Sequence, residues 1–340
     1  MAAPSVHLGN GLSVSPLGFG GMALTPVYGE VDQGEALRTL HHAVDAGVSF
    51  IDTADIYGGG SNEELIARLL KERRDEVQLA TKFGLVGTPS GGYTDIRGDR
   101  PYIQQAVEAS LRRLGTNTLD LYYMHRRDLR VPIVETVEAM AALVQQGKVR
   151  YLGLSEVTAE ELWEASSVHP IAAVQSEWSI WSRDVERNVV PAAAALGVGF
   201  VPYSPLGRGF LTGTVDASKL GSGDFRRNIP RFAEDAADAN QGVVAAVQSV
   251  AAELSDEVSV SGKTATPAQV ALAWLFAQGK RLGLPVVPIP GTRKAERIDE
   301  NLGALALSFT PAQLERLDSA ADAVVGSRSA DPNWVSQGRE

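Results

Sequence analysis

The chain has 340 residues and is 44% apolar, enough to bury the core of one large α/β barrel or two ordinary domains. Its formal charge of −10, with no Lys/Arg block, argues against nucleic acid or an anionic membrane as a partner. It has no cysteine, which excludes disulfides, zinc–thiolate sites, iron–sulfur clusters and cysteine nucleophiles together.

The N-terminal Met1-Ala2-Ala3-Pro4-Ser5-Val6-His7 lacks the basic and apolar regions of a secretory signal. No apolar run approaches the ~18 residues needed to cross a bilayer. A soluble cytoplasmic protein is expected. Short apolar runs resembling buried parallel strands fall near 17–19 and at 48–51, 77–80, 119–124, 149–154, 171–174, 198–201 and 284–289. Between them lie amphipathic stretches of helical length at 35–46, 62–71, 102–114, 133–146, 159–166 and 189–196. From 48 onward the first six strand starts recur every 22 to 42 residues, the length of a strand–helix unit. Unbroken repetition predicts an α/β fold, a single (β/α)8 TIM barrel domain over 1–340, rather than two doubly wound halves.

Local signals mark helix starts. Ser61-Asn62-Glu63-Glu64 has the spacing of a capping box. Thr266-Pro267 and Thr310-Pro311 each place a capping Thr before a Pro at the first helical position. The segment 213–283 interrupts the repeat with a polar loop at 213–238 and helices at 241–254 and 268–277. A loop this long is usually functional or mobile. Its Arg226, Arg227 and Arg231 either fold over an anionic ligand or belong to a solvated insertion. The tail 323–340 has no periodicity, and either lacks order or lies across the barrel mouth.

In a parallel barrel the chemistry sits at the C-terminal strand ends. The first polar residues after the apolar runs are Asp52, Lys82, His125, Ser155, Gln175 and Tyr203-Ser204. Each has a structural alternative: Asp52 as a turn cap, Lys82 as a rim lysine, His125 as a local hydrogen-bonder. An Asp, a Lys and a His at three consecutive strand ends nevertheless aim at one point. A buried Lys needs a counter-ion, and Asp52 can supply it. Tyr57 follows Asp52 by five residues, and a neighbouring Lys cation is expected to lower its pKa from ~10. Trp178 and Trp181 either wall an apolar substrate pocket or pack the barrel rim. The five His residues show no ligand spacing, so no metal site is expected.

These residues stand in motifs. They are Asp52-Thr53-Ala54-Asp55-Ile56-Tyr57-Gly58 with Asn62-Glu63, then Thr81-Lys82 and Leu121-Tyr122-Tyr123-Met124-His125. Gly153-Leu154-Ser155, Gln175, the run Tyr203-Ser204-Pro205-Leu206-Gly207-Arg208-Gly209-Phe210-Leu211-Thr212-Gly213 and Ile289-Pro290-Gly291-Thr292-Arg293 follow in order. With them the sequence resembles the aldo-keto reductase family, in the bacterial, plant and yeast branch with pyridoxal-reductase-like and perakine-reductase-like members. The resemblance runs from about 17 to 301. It implies Tyr57 as general acid, Lys82 and Asp52 as its tuning pair, and His125 orienting the substrate carbonyl. It implies a nicotinamide cofactor at the barrel mouth, with Tyr203 stacked on the nicotinamide and Ser155 and Gln175 on its carboxamide. Gly21, Met22, Ser204, Leu206, Gly207, Arg208, Gly209 and Ile289 complete that implied contact set. Gly291, Thr292, Arg293 and Arg297 would meet a 2′-phosphate, with Glu300 and Asn301 on the adenine. NADPH is therefore expected, with NADH used more weakly.

The function expected is reduction of aldehydes or ketones to alcohols. Family members that reduce an activated C=C bond carry Glu where His125 stands. Two other classes of protein share parts of this pattern. A Schiff-base lyase would use Lys82 as nucleophile, against which its pairing with Asp52 argues. A cofactor-binding regulatory protein would resemble potassium-channel β subunits. The expected partner is a small aldehyde or ketone, not nucleic acid or membrane. Oligomeric state is not legible in the sequence.

Overall fold

The computed structural model describes residues 5–88, 93–258 and 264–340, with side chains of 256–258 left aside. A hairpin of β1 (Val6–Leu8) and β2 (Leu12–Val14) comes first. Then come β3 (Phe19–Gly20), α1 (Gln33–Asp45), β4 (Phe50–Asp52), α2 (Ser61–Arg73) and β5 (Gln78–Phe83). An antiparallel pair, β6 (Leu85–Gly87) and β7 (Tyr93–Ile96), precedes α3 (Arg100–Leu114) and β8 (Leu119–Met124). After α4 (Ile133–Gln145) come β9 (Val149–Ser155), α5 (Ala159–Val168), β10 (Ile171–Glu177), α6 (Val189–Leu196) and β11 (Gly199–Tyr203). The chain ends with α7 (Glu234–Ala239), α8 (Gln241–Val258), α9 (Pro267–Leu282), α10 (Ala295–Leu302), α11 (Pro311–Ala320) and the tail.

Seven strands pair in parallel in the order β11-β10-β9-β8-β5-β4-β3. The extended segment 284–290 closes the ring. Phe200 N donates to Pro285 O at 2.8 Å and Ile289 N to Pro202 O at 3.1 Å on one side. Gly18 N donates to Pro288 O at 2.9 Å on the other. Pro285, Pro288 and Pro290 have no N–H to give, so this eighth strand bonds both neighbours without a regular ladder. The result is the (β/α)8 barrel that the strand–helix repeat predicts.

Alternation along the strands sorts the core into two shells. Phe50, Ala80, Leu121, Tyr123, Ala173 and Val201 face inward, and Leu8 and Leu12 of the N-terminal hairpin plug the same interior from below. Ile51, Leu79, Tyr122, Val174 and Phe200 face the helices. Gly153 admits the Tyr123 ring, because a Cβ there would lie 2.4 Å from it. Two residues above the inward apolar layer, the same alternation delivers Asp52, Lys82, His125, Ser155, Gln175 and Tyr203 to the mouth.

Thr266 and Thr310 form capping boxes with Gln269 and Gln313. The box expected at Ser61 does not form. Gly58, Gly59 and Gly60 are left-handed, so Gly60 is the N-cap, and Ser61 Oγ bonds back to Gly58 O. Helix α10 opens at Ala295, not directly after Thr292. Thr292 Oγ1 accepts from Lys294 N at 3.1 Å first, making a separate turn.

Three segments cover the mouth: the turn at 204–212, the loop before α7, and the tail beyond α11. The tail lies across the barrel, held by Arg328, which is 3% exposed. No helix among the described residues is long and apolar enough to cross a membrane.

Candidate active site

The three strand-end residues Asp52, Lys82 and His125 and the loop residue Tyr57 come together. Lys82, fully buried, donates from Nζ to Asp52 Oδ1 at 2.5 Å, to Thr53 O at 2.7 Å and to Tyr57 Oη at 3.5 Å. Asp52 is held on its other oxygen by Gln175 Nε2 at 2.9 Å. The Tyr57 and His125 rings meet edge to face, 5.9 Å between centroids. Tyr57 reaches this point because the turn after β4 tightens through the left-handed glycines 58–60 and returns the chain into α2.

Protonation follows from the surroundings. Burial alone would push the Lys82 ammonium down, but the Asp52 carboxylate and the Tyr57 hydroxyl together carry its pKa above the ordinary value. Lys82 is therefore a cation, and a poor Schiff-base nucleophile. Burial, then the charges of Arg126 and Lys82, hold His125 well below its ordinary value; it is neutral. Its Nδ1 is buried without a partner among the described residues. An orphaned N–H is rarer than an orphaned lone pair, which assigns the proton to Nε2. Tyr57 departs from expectation. Lys82 does pull its pKa down, but burial outweighs that pull and the net direction is up. The phenol holds its proton at neutral pH. With Lys82 donating to its oxygen, its own O–H is free to point elsewhere.

The residues implied for the cofactor sort into two groups. Ser155 is buried at the end of β9. Tyr203 is half-buried, with its hydroxyl fixed on Glu156 at 2.8 Å. Ser204, Gly207, Arg208 and Gly209 all have positive φ, so the backbone coils tightly past Leu206. A Cβ at Gly207 would sit 2.7 Å from the Trp181 indole. Gly21, half-buried Met22, buried Ile289, Gly291 and buried Thr292 line the adjoining ends of β3 and the eighth strand. Arg297 is exposed and forms no ion pair among the described residues, Glu300 is half-buried and Asn301 is buried.

The second group is engaged elsewhere. Gln175 gives its amide to Asp52. Arg208 grips Glu177 with two bonds, at 3.0 and 2.8 Å. Arg293 donates to the carbonyls of Tyr28, Gly29 and Glu30, at 2.8, 3.3 and 2.6 Å. Trp178 is fully buried against Phe200 and Trp274, which is core packing. Trp181 stacks on Phe210 at 4.7 Å, beneath the 204–209 turn. Arg226 pairs with Asp224 and lies over the Tyr28 ring at 5.4 Å. Arg227 donates to Leu220 O.

Sequence reading missed the clasp on the tail. Glu156, fully buried with φ 51°, accepts from Arg328 Nη1 and Nη2 at 2.8 and 3.0 Å and from Ser336 N at 2.9 Å. Arg328 also pairs with Asp184 at 2.8 Å. Arg328 and these surroundings hold the Glu156 carboxyl well below the usual range despite the cost of burial. The tail's Trp334 stacks on Tyr93 at 4.8 Å and under the Arg126 guanidinium at 4.6 Å. It shares an apolar cluster with Ala54, Ile56 and Tyr57.

The structure is a (β/α)8 barrel with a protonated phenol, an ammonium, a carboxylate and a neutral imidazole gathered at its mouth. The sequence profile described as the Aldo/keto reductase family matches residues 16–322. A probable aldo-keto reductase of Glycine max is 41% identical over 320 residues, covering 93% of this chain and 88% of that protein. Solved structures agree. The glycerol dehydrogenase of Gluconobacter oxydans superposes with a TM-score of 0.82 at 28% identity, over 98% of this chain and 99% of that one. The holo form of an aldo-keto reductase from Bacillus halodurans gives 0.74 at 26% identity, over 97% and 100%. The chain belongs to the aldo/keto reductase family of oxidoreductases, which use nicotinamide cofactors on small aldehyde and ketone substrates.

Proposed function

We propose that the protein reduces aldehydes or ketones with NADPH, Tyr57 acting as the acid. The carrying observation is the Lys82 ammonium, which bonds both Asp52 and the Tyr57 oxygen. When bound, the nicotinamide supplies the hydride that reaches the carbonyl carbon. The Tyr57 hydroxyl gives its proton to the carbonyl oxygen as charge builds there. Lys82 stabilises the negative charge passed to the phenol, and neutral His125 offers Nε2–H to the same oxygen. Asp52 keeps Lys82 charged and in place. Gln175 holds Asp52, so it acts through the tetrad as well as beside the cofactor.

The chain's groups fit the cofactor. Tyr203 presents a ring fixed by Glu156, Ser155 a buried hydroxyl at the end of β9, and 204–209 a tightly coiled backbone. At the adenosine end, Lys294 and Arg297 are cations without ion-pair partners among the described residues. They support a 2′-phosphate and so NADPH over NADH. Arg293 joins them only by leaving its three carbonyls.

The test is NADPH oxidation with 4-nitrobenzaldehyde by wild type and Tyr57→Phe, with NADH in parallel. Turnover that drops about 10²-fold or more in the variant supports the reading. Tight NADPH binding with equal inertness of both proteins refutes it for this substrate class.

A further inference from the structure

Arg126 is 7% exposed, yet no carboxylate of the described residues pairs with it. Its Nη1 donates to His125 O at 2.7 Å and to Ser155 Oγ at 3.3 Å. Its Nε is buried with no acceptor among the described residues. A buried guanidinium without an anion is costly. The carboxylates around it bond other groups. Arg328 takes Glu156 and Asp184, Arg208 takes Glu177, and Asp331, near Tyr93, accepts from Asn333 N. Asp52 is matched by Lys82, and His125 is neutral.

The charge sits where a substrate would lie. Arg126 follows His125 in the chain, and its field reaches Tyr57, Glu156 and Tyr203. One face of the guanidinium is covered by Trp334, which packs in turn on Tyr93. Such a site combines an aromatic wall with a planar cationic fork.

We propose that Arg126 forms a carboxylate-binding subsite beside Tyr57 and His125, making the substrates aldehydes or ketones that carry a carboxylate. This rests on the reductase reading above. The planar fork suits a carboxylate, the kind of partner that no described residue gives it.

The experiment compares 2-, 3- and 4-formylbenzoate, each against its methyl ester, with NADPH. Wild type, Arg126→Gln and Arg126→Lys are measured. At least one acid should exceed its ester by about 10–100-fold in kcat/KM, as a charge-assisted hydrogen bond implies. Arg126→Gln should bring that ratio to near one, and Arg126→Lys should retain part of it. Ratios within about 2-fold for all three pairs in wild type, or a ratio that survives in Arg126→Gln, overturn the proposal. If wild type reduces no aldehyde, the reductase reading fails, and benzoate titration of tryptophan fluorescence decides the subsite. A saturable change lost in Arg126→Gln supports it, and no change in wild type overturns it.

Discussion

Lys82→Met separates two roles of one buried ion pair. The substitution leaves Asp52, 2% exposed, with the Gln175 hydrogen bond but no cation. Removing one partner of a buried pair costs about 3–5 kcal/mol. Here the loss has a ceiling, because Asp52 can take up a proton. Protonating a carboxyl of intrinsic pKa ~3.9 costs about 4 kcal/mol at pH 7 and about 1.5 kcal/mol at pH 5. Lys82→Met should therefore lose up to about 4 kcal/mol at pH 7 and less than half of that at pH 5. Asp52→Asn/Lys82→Met removes both charges, and should regain most of the stability but none of the turnover. Urea unfolding at the two pH values and NADPH-linked aldehyde reduction read the two properties. A pH-independent stability loss in Lys82→Met, or restored turnover in the double variant, would refute the reasoning.

Asp55 tests the electrostatics independently. Burial, then the Glu63 carboxylate, push its pKa up to about 8. A carboxyl raised on folding stabilises the fold below its unfolded pKa, and that stability is lost as pH rises toward 8. Asp55→Asn should thus gain on wild type by up to about 1.4 kcal/mol per pH unit between roughly pH 5 and 8, read from thermal melts; a flat difference would contradict it. Gly207→Ala should weaken NADPH binding, because its φ is 57° and a Cβ would press on Trp181 at 2.7 Å; unchanged cofactor affinity by titration would count against the coiled turn. Arg328→Gln leaves Glu156 and Asp184 without their shared cation. It should make the tail beyond residue 323 the first site of limited proteolysis, whereas a protease-resistant tail would show that other contacts hold it.

Much of this site was legible because strand alternation is a local rule. Phe50 and Asp52, Ala80 and Lys82, and Tyr123 and His125 are pairs two residues apart, so an apolar run predicts which polar residue faces the mouth. The eighth strand was legible as an apolar run at 284–289, although its prolines deny it a regular ladder. Contacts across long sequence separation left no such signal. Arg328 meets Glu156 172 residues away, and Arg293 meets the carbonyl of Tyr28 across 265. A lone Arg in a tail and another beside a helix look alike in sequence whether they bind a ligand, a carboxylate or a backbone. The direction of the Tyr57 pKa failed for a related reason. The Lys82 neighbour could be inferred from the strand ends, but the degree of burial that outweighs it could not.

The most direct measurement is the rate of NADPH oxidation with a saturating aldehyde by wild type and Tyr57→Phe, in H2O and in D2O. The account predicts slower wild-type turnover in D2O and a loss of about 10²-fold or more in Tyr57→Phe, with NADPH affinity retained. A Tyr57→Phe protein that reduces the aldehyde at the wild-type rate would contradict it.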